Sequence, residues 1–161
     1  MCAAHAAVRS LMGEIVSETD NIVVMDMEAS LEHLSRGTVR HVDALLVVTE
    51  PYYRSLETAR RTLPLARGLG INHIYAVVNK YRSEEDLRAV TEFCLNNDLE
   101  IIARIPFDEN VTRADLEGKS LYDFNTDSPV VKEVEKLAAA LRERVPVNAS
   151  SATKISTKPN C

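Results

Sequence analysis

Hydrophobic and polar positions along the chain form two kinds of segment. Short runs that are apolar throughout predict buried strands, and longer runs with apolar residues three or four positions apart predict helices that bury one face. The first kind occurs four times and predicts strands at residues 21–26 (NIVVMD), 43–50 (DALLVVTE), 71–80 (INHIYAVVNK) and 99–107 (LEIIARIPF).

The helical segments lie between and after these runs. Their boundaries carry capping signals: a serine or aspartate before the first helical residue, and a glycine after the last. The predicted helices cover residues 3–16, residues 53–68 ending at Gly68 or Gly70, a segment capped by Ser83, a short segment from Asp108 to Gly118, and a segment that begins at Ser128–Pro129. Residues 30–41 are predicted as a loop with helical turns, and residues 146–161 as a disordered tail.

Apolar strands that alternate with amphipathic helices predict an α/β fold whose mostly parallel sheet has helices on both faces. In such sheets ligands bind at the carboxyl ends of the strands. The residues that follow the predicted strands are therefore the candidates for chemistry: Asp26 to Glu28, Glu50 with Pro51, Asn79 with Lys80, and Pro106, Phe107 and Asp108.

Length and composition narrow the function. The 161 residues fit one domain, predicted over residues 1–145, and 45% of the residues are hydrophobic. A net charge of −5 with no basic run argues against nucleic acid as a partner. No run approaches the ~18 apolar residues of a membrane span, so we expect a cytoplasmic protein without a membrane partner. The three cysteines predict no disulfide framework.

The stretch Gly118-Lys119-Ser120 looks like the end of a phosphate-binding loop, but the rest of that motif is missing. The motif needs a glycine five residues before Gly118, where this chain has Arg113. No other GxxxxGK[ST] or GxGxxG occurs in the sequence. We therefore predict that Gly118 ends a helix and that no phosphate loop is present.

Two strand-end residues fit a nucleotide site. Asp26 is suited to hold a water of a nucleotide-bound Mg²⁺ ion, or it caps a loop. The amide of Asn79 both donates to and accepts from the edge of adenine, or it only completes the strand end. Guanine selection needs a carboxylate three residues after Asn79, and Arg82 at that position cannot accept a hydrogen bond.

The cysteines give weaker evidence of function than these strand-end residues. Cys2 and His5 do not fill a tetrahedral metal site by themselves, although a symmetric dimer doubles them. A free thiol is the alternative for Cys2. Cys94 lies on the apolar face of its helix and is predicted to be a core residue.

Five segments together resemble one family: CAAHAAVRSLM, VVMDMEASLEHLSRGT, DALLVVTEPYYRSLETA, VVNKY and IPFDENVTRADLEGKSL. They are similar to the second half of the nickel-insertion ATPases that mature carbon monoxide dehydrogenase (CooC), within the MinD/ParA-type P-loop ATPases. The resemblance spans roughly residues 1–145. The DMEA…EHLSRGT segment is its most specific part.

The resemblance implies roles for individual residues. Asp26 matches the magnesium-side aspartate, and Glu28 belongs to the switch segment that senses the γ-phosphate. Asn79, with Lys80 beside it, matches the adenine contact. Pro106, Phe107 and Asp108 match the loop along the base. Cys2 matches the second cysteine of a Cys-x-Cys pair that binds one metal ion, zinc or nickel, across a homodimer.

The resemblance also implies what this sequence lacks. The family begins with a strand that carries a GKGGVGKT-type loop, and that strand pairs between the counterparts of residues 21–26 and 43–49. Without it the fold is a partial P-loop sheet with two unpaired inner edges, which are costly. We therefore expect the chain to belong to a longer protein, or to pair with a separate N-terminal half, and not to hydrolyse ATP by itself.

Three functions stay open at this point. The first is the C-terminal part of an ATP-dependent nickel-insertion protein with carbon monoxide dehydrogenase as client. The second is a non-catalytic binding or regulatory module that keeps the family's partner surfaces. The third is a fragment of another MinD/ParA-type ATPase.

Overall fold

A computed structural model describes residues 22–27 and 42–145 of the chain. The predicted helix at residues 3–16, the loop at 30–41 and the tail at 146–161 lie outside these residues, as do Cys2, Glu28 and Cys161.

The centre of the described fold is a parallel three-stranded sheet in the order β1-β2-β3. The strands are β1 (Ala44–Thr49), β2 (His73–Tyr81) and β3 (Glu100–Pro106). Each agrees with a predicted apolar run. The central strand β2 is buried on both faces from Tyr75 to Val78, because helices cover the sheet.

Within residues 42–145, five helices connect and cover the strands. They are α1 (Tyr53–Gly68), α2 (Glu84–Asn96), α3 (Glu109–Leu116), α4 (Leu121–Phe124) and α5 (Pro129–Arg144). Helices α1 and α2 share one core cluster with β2 and β3, made of Leu63, Ala76, Val78, Val90, Cys94 and Leu99. Helix α5 packs against β3. The predicted α/β class with a parallel sheet is confirmed.

The predicted caps are observed. Ser83 accepts a hydrogen bond from the backbone amide of Asp86, and Ser128 accepts one from Val130 ahead of Pro129 at the start of α5. These hydroxyls satisfy amides that have no partner inside the helix. Pro64 lies inside α1, which runs without interruption to Gly68.

Gly118 has the left-handed φ of 64° that ends α3. Lys119 forms an ion pair with Glu117 at 2.8 Å, and Ser120 caps the short helix α4. The prediction that this stretch is a helix end and not a phosphate loop is confirmed. Helix α4 was not predicted separately, because its four residues are too few to show a periodicity.

The strand predicted at residues 21–26 is wrong for the residues that the structure describes. Residues 22–27 have no regular secondary structure, and the side chains of Ile22 and Val24 are 66% and 88% exposed. A strand forms only where a neighbour pairs with its backbone. Within residues 22–27 and 42–145 the outer edge of β1 has no partner strand. An apolar run alone therefore does not become a strand here.

The 3.6-residue period predicts an apolar stripe on the last helix at Val131, Val134, Leu137, Ala138 and Leu141, and this stripe is only partly buried. Val131 is buried and Leu137 and Leu141 are half-buried, as the 3.6-residue period indicates, whereas Val134 is 46% exposed and Ala138 is exposed.

Candidate functional site

The carboxyl ends of β1, β2 and β3 lie along one edge of the sheet, which we call the carboxyl edge. It carries Thr49 and Glu50 from β1, Asn79 to Arg82 from β2, and Phe107 and Asp108 from β3. Parallel strands in register bring these residues together, since Thr49 lies opposite Val78 and Asn79 lies opposite Ile105.

The end of β2 departs from regular strand geometry at Lys80. Asn79 pairs with Ile105 and Tyr81 pairs with Pro106, so that Lys80 has no partner in β3. Lys80 has a φ of 57°, in the left-handed region that a non-glycine residue enters at a cost. Such bulges redirect the neighbouring side chains and are common beside binding sites.

Glu50 and Lys80 form an ion pair across the carboxyl edge. Lys80 Nζ lies 2.8 Å from Glu50 Oε1, and the two side chains are 56% and 28% exposed. An ion pair this exposed adds little to stability. It ties the end of β1 to the bulge that follows Asn79.

A hydroxyl pair fixes the turn from β1 into α1. Thr49 is fully buried, its Oγ1 lies 3.1 Å from Ser55 Oγ, and Ser55 Oγ accepts a hydrogen bond from the amide of Glu50 at 2.9 Å. The buried hydroxyl of Thr49 and the backbone amide of Glu50 therefore both have hydrogen-bond partners, as buried polar groups generally do. The backbone of Glu50 is therefore held in place.

The loop after β3 packs against the end of β2. The amide of Phe107 donates to the carbonyl of Tyr81 at 2.9 Å, and the Arg82 guanidinium lies over the Phe107 ring, 3.8 Å from its centroid. The predicted base-loop residue Phe107 is thus next to the residue that follows Asn79 and Lys80 on β2. Pro106 is the last residue of β3 and is half-buried.

Asp108 is occupied by contacts within the protein. Its Oδ1 accepts from the amide of Asn110 at 2.8 Å, which caps α3, and its Oδ2 accepts from the Ser128 hydroxyl at 2.7 Å. The bond from Ser128, followed by that from the Asn110 amide, lowers the pKa of Asp108 from its usual value. Asp108 is therefore an ionised anchor of two helix N-termini.

Asp26 is not placed with these residues. It is exposed, and the adjacent Met27 packs against the cluster of Ala66 and Ile71, which also includes Val42 and Leu45. Val42 and Leu45 lie at the amino-terminal end of β1, opposite the carboxyl edge. The structure thus brings Asn79, Lys80, Phe107 and Asp108 to one edge, whereas Met27, the residue after Asp26, packs near the opposite end of β1. Glu28 and Cys2 lie outside the described residues.

Two members of the edge received no role from the sequence, although Glu50 was among the candidates that follow the strands. Arg82 counted only as a residue that disfavours guanine, and Glu50 only as a residue that follows a strand. Their contacts with Phe107 and Lys80 join residues that are far apart in the chain. The one available signal was their position after a strand.

The carboxyl edge brings together side chains that have the chemistry to contact a heterocyclic base. It offers an amide, an aromatic face and a planar cation, which suit a purine. In residues 22–27 and 42–145 no cluster of three or more histidine, cysteine or acidic side chains is arranged to hold a metal ion. No helix in the same residues has the length and apolarity needed to cross a bilayer.

Comparison with known proteins gives sequence relatives for most of the chain. The carbon monoxide dehydrogenase accessory protein CooC of Rhodospirillum rubrum is 40% identical over 146 residues, which are 90% of this chain and 54% of that protein. An uncharacterized ATP-binding protein of Methanocaldococcus jannaschii is 37% identical over 139 residues, 85% of this chain and 52% of that protein. The chain spans about half the length of the curated relatives it matches. No protein-family model matches it.

Solved structures show the same fold. A ParA family ATPase from Chlorobium tepidum has a TM-score of 0.69 and 27% identity, over 85% of this chain and 57% of that one. The septum site-determining protein MinD of Pyrococcus horikoshii, solved with Mg-ADP, has a TM-score of 0.66 and 20% identity, over 83% of this chain and 55% of that one. The three-stranded sheet is therefore part of a MinD/ParA-type ATPase fold.

Proposed function

Because the chain belongs to the CooC-like family of MinD/ParA-type ATPases and spans about half the length of its relatives, we propose that it supplies the adenine-binding part of an ATP-dependent metal-insertion protein for carbon monoxide dehydrogenase. The observation that carries the proposal is that Asn79 and Phe107 both lie at the carboxyl edge, in a chain that is 40% identical to CooC.

The adenine edge is recognised by Asn79, whose amide accepts from the exocyclic amine and donates to a ring nitrogen. The ion pair of Glu50 with Lys80 orders the bulge beside it, and Pro106 and Phe107 lie along the base. Asp108 supports the loop along the base and does not contact the base itself, because both its carboxylate oxygens already accept hydrogen bonds at helix N-termini.

The phosphates and their Mg²⁺ ion need residues that this sequence does not contain, since it has no GxxxxGK[ST] motif. We propose that this half of the site comes from polypeptide beyond these residues, in the same chain or in a separate one. Asp26 then serves the magnesium side and Glu28 the γ-phosphate switch. Pairing of the missing strand with the outer edge of β1 gives residues 22–27 a partner and draws Asp26 to the carboxyl edge.

Cys2 supplies one ligand of a metal ion, zinc or nickel, shared across a homodimer. The cargo passes from this site to carbon monoxide dehydrogenase in the cytoplasm. A test is nickel-dependent activation of the dehydrogenase by the protein as its source cells make it. Activation that needs ATP and is lost in Cys2→Ser supports the proposal, whereas full activation by Cys2→Ser removes the metal role.

The mass of the native protein decides where the phosphate side comes from. Material captured with an antibody to α5 is measured by intact-mass analysis. A mass well above 17.9 kDa places both halves in one chain. A mass near that value directs the search to a separate chain with a phosphate loop.

A second function is a binding module without ATPase activity. It is favoured by the absence of the phosphate-loop motif from the sequence. Activation of the dehydrogenase that proceeds without ATP, in a protein that binds no nucleotide, selects this function over the first.

A further inference from the structure

Arg82 and Phe107 form a stacked pair at the carboxyl edge. The guanidinium of Arg82 lies 3.8 Å from the centroid of the Phe107 ring. Arg82 is exposed and the ring is 36% exposed, so both reach the surface of the edge. A guanidinium that rests on an aromatic ring is held in orientation, because the ring's negative face attracts the cation.

Both members of the pair are fixed through their backbones. The amide of Arg82 donates to Asp86 Oδ2 at 2.8 Å, and the amide of Asp86 donates to the N-cap Ser83 Oγ at 3.1 Å, so that Asp86 ties the residue before the N-cap to the start of α2. The amide of Phe107 donates to the carbonyl of Tyr81 at 2.9 Å. The stack is therefore built on a helix cap and a strand end and not on a free loop.

The pair lies at the same corner of the carboxyl edge as Asn79. Arg82 follows Asn79 by three positions, across the bulge at Lys80, and Phe107 follows Ile105, which is the partner of Asn79 in β3. The two routes, along β2 and across from β3, lead to the same corner of the carboxyl edge. A base that contacts Asn79 thus meets the guanidinium of Arg82.

We propose that the Arg82–Phe107 pair forms one wall of the base pocket and that Arg82 sets the preference of this pocket for adenine over guanine. The proposal rests on the adenine site assigned to Asn79 above and adds its specificity-determining residue. One face of the guanidinium rests on Phe107, and its in-plane N–H groups are directed at the edge of the base.

The preference follows from hydrogen-bond chemistry. A guanidinium only donates, and guanine presents donors at N1 and at its exocyclic amine, so that donor faces donor. Adenine presents an acceptor at N1. A donor that faces another donor is left without an acceptor, which is how a polar site disfavours the wrong base.

The test exchanges Arg82 for a carboxylate. Arg82→Asp makes residues 79–82 read Asn-Lys-Tyr-Asp, with an acceptor where guanine's donors arrive. Affinities for ATP, GTP and ITP are measured by competition with a fluorescent nucleotide, on the protein as its source cells make it. Arg88→Asp, with the same charge change at an exposed position of α2, is the control.

We expect Arg82→Asp to raise the ratio of GTP to ATP affinity about tenfold, since one well-placed contact pair on a base edge discriminates by that order. ITP, which lacks the exocyclic amine of guanine, gains less than GTP. Arg88→Asp leaves the ratio unchanged. If Arg82→Asp does not fold, Arg82→Gln takes its place, because its side-chain amide also offers an acceptor. We expect Arg82→Gln to raise the ratio of GTP to ATP affinity as well.

Two results overturn the proposal in distinguishable ways. If the wild-type protein binds ATP and both Arg82 variants have the same ratio of GTP to ATP affinity as wild type, only the role of Arg82 is overturned. A wild-type protein that binds neither nucleotide overturns the adenine site itself, and the proposed function with it.

Discussion

The hydroxyl of Ser128 donates a hydrogen bond to Asp108 Oδ2 at 2.7 Å, and each of the two residues is the N-cap of a helix. Ser128 is almost fully buried. The contact joins the start of α3 to the start of α5, and α5 packs against β3. One carboxylate thus holds the loop after β3 and two helix N-termini in a fixed relation.

Removal of this carboxylate is predicted to destabilise the fold. Asp108→Ala removes a cap and leaves the buried hydroxyl of Ser128 without its acceptor, so the free energy of unfolding falls by about 1–3 kcal/mol. Urea unfolding followed by circular dichroism measures the change. Glu92→Ala, at an exposed position of α2, is the matched control and stays within about 0.5 kcal/mol of wild type. Equal effects of the two variants contradict the anchoring role.

The same contact predicts a pH dependence. The folded chain lowers the pKa of Asp108, chiefly through the Ser128 hydroxyl, below the 3.8 expected for a free aspartate. Its ionised form therefore stabilises the fold above about pH 3.8, and that contribution is lost as the pH falls through the lower, folded-state pKa. The difference in unfolding free energy between wild type and Asp108→Asn should be larger at pH 7 than at pH 3.

An NMR titration tests whether the Ser128 hydroxyl is the main cause of the lowered pKa of Asp108. In Ser128→Ala the pKa of Asp108 moves back toward its usual value, because the largest source of the shift is gone. A carboxyl carbon of Asp108 that titrates identically in Ser128→Ala and wild type contradicts this assignment.

The hydroxyl pair at the end of β1 predicts an asymmetry between two small substitutions. Ser55→Ala removes the partner of the fully buried Thr49 hydroxyl and the acceptor for the amide of Glu50. Thr49→Val removes only one hydroxyl and fills the same space. We expect Ser55→Ala to lower the free energy of unfolding by about 1–3 kcal/mol and Thr49→Val by clearly less, because an unsatisfied buried group costs more than a lost bond.

A double-mutant cycle checks this asymmetry. With Thr49→Val already present, Ser55→Ala should cost less than it does alone, since no buried hydroxyl is then left unpaired. Strict additivity of the two effects speaks against a direct contact.

The left-handed residue at the end of β2 predicts a substitution that does not destabilise. Lys80 has a φ of 57°, which costs a non-glycine residue about 1 kcal/mol. Its ion pair with Glu50 is exposed and therefore offsets little of that strain. Lys80→Gly should therefore unfold at the same or a higher urea concentration than wild type. Lys80→Ala, which loses the pair and keeps the strain, is the control and should be the less stable of the two. If Lys80→Gly is less stable than Lys80→Ala, the claim that the backbone at Lys80 is strained is wrong.

Local patterns gave the helix starts and the strands that have neighbours. Ser83, Asp108 and Ser128 each cap a helix as predicted, because capping depends only on residues two or three positions away in the chain. The apolar runs at β1, β2 and β3 form strands because each pairs with another of the three. The run at 21–26 has the same pattern but no partner among the described residues, and its described part is not a strand.

The amino-acid sequence by itself determined the α/β class, the order of its elements, the helix caps and the absence of a phosphate-loop motif, since each depends on neighbouring residues or on residue identity. Only the tertiary structure decided that Arg82 stacks on Phe107, that Glu50 pairs with Lys80 and that Asp108 binds Ser128. These contacts join residues on different elements. They exist because the parallel register brings the strand ends to one edge, and no local pattern in the chain records which side chains meet there.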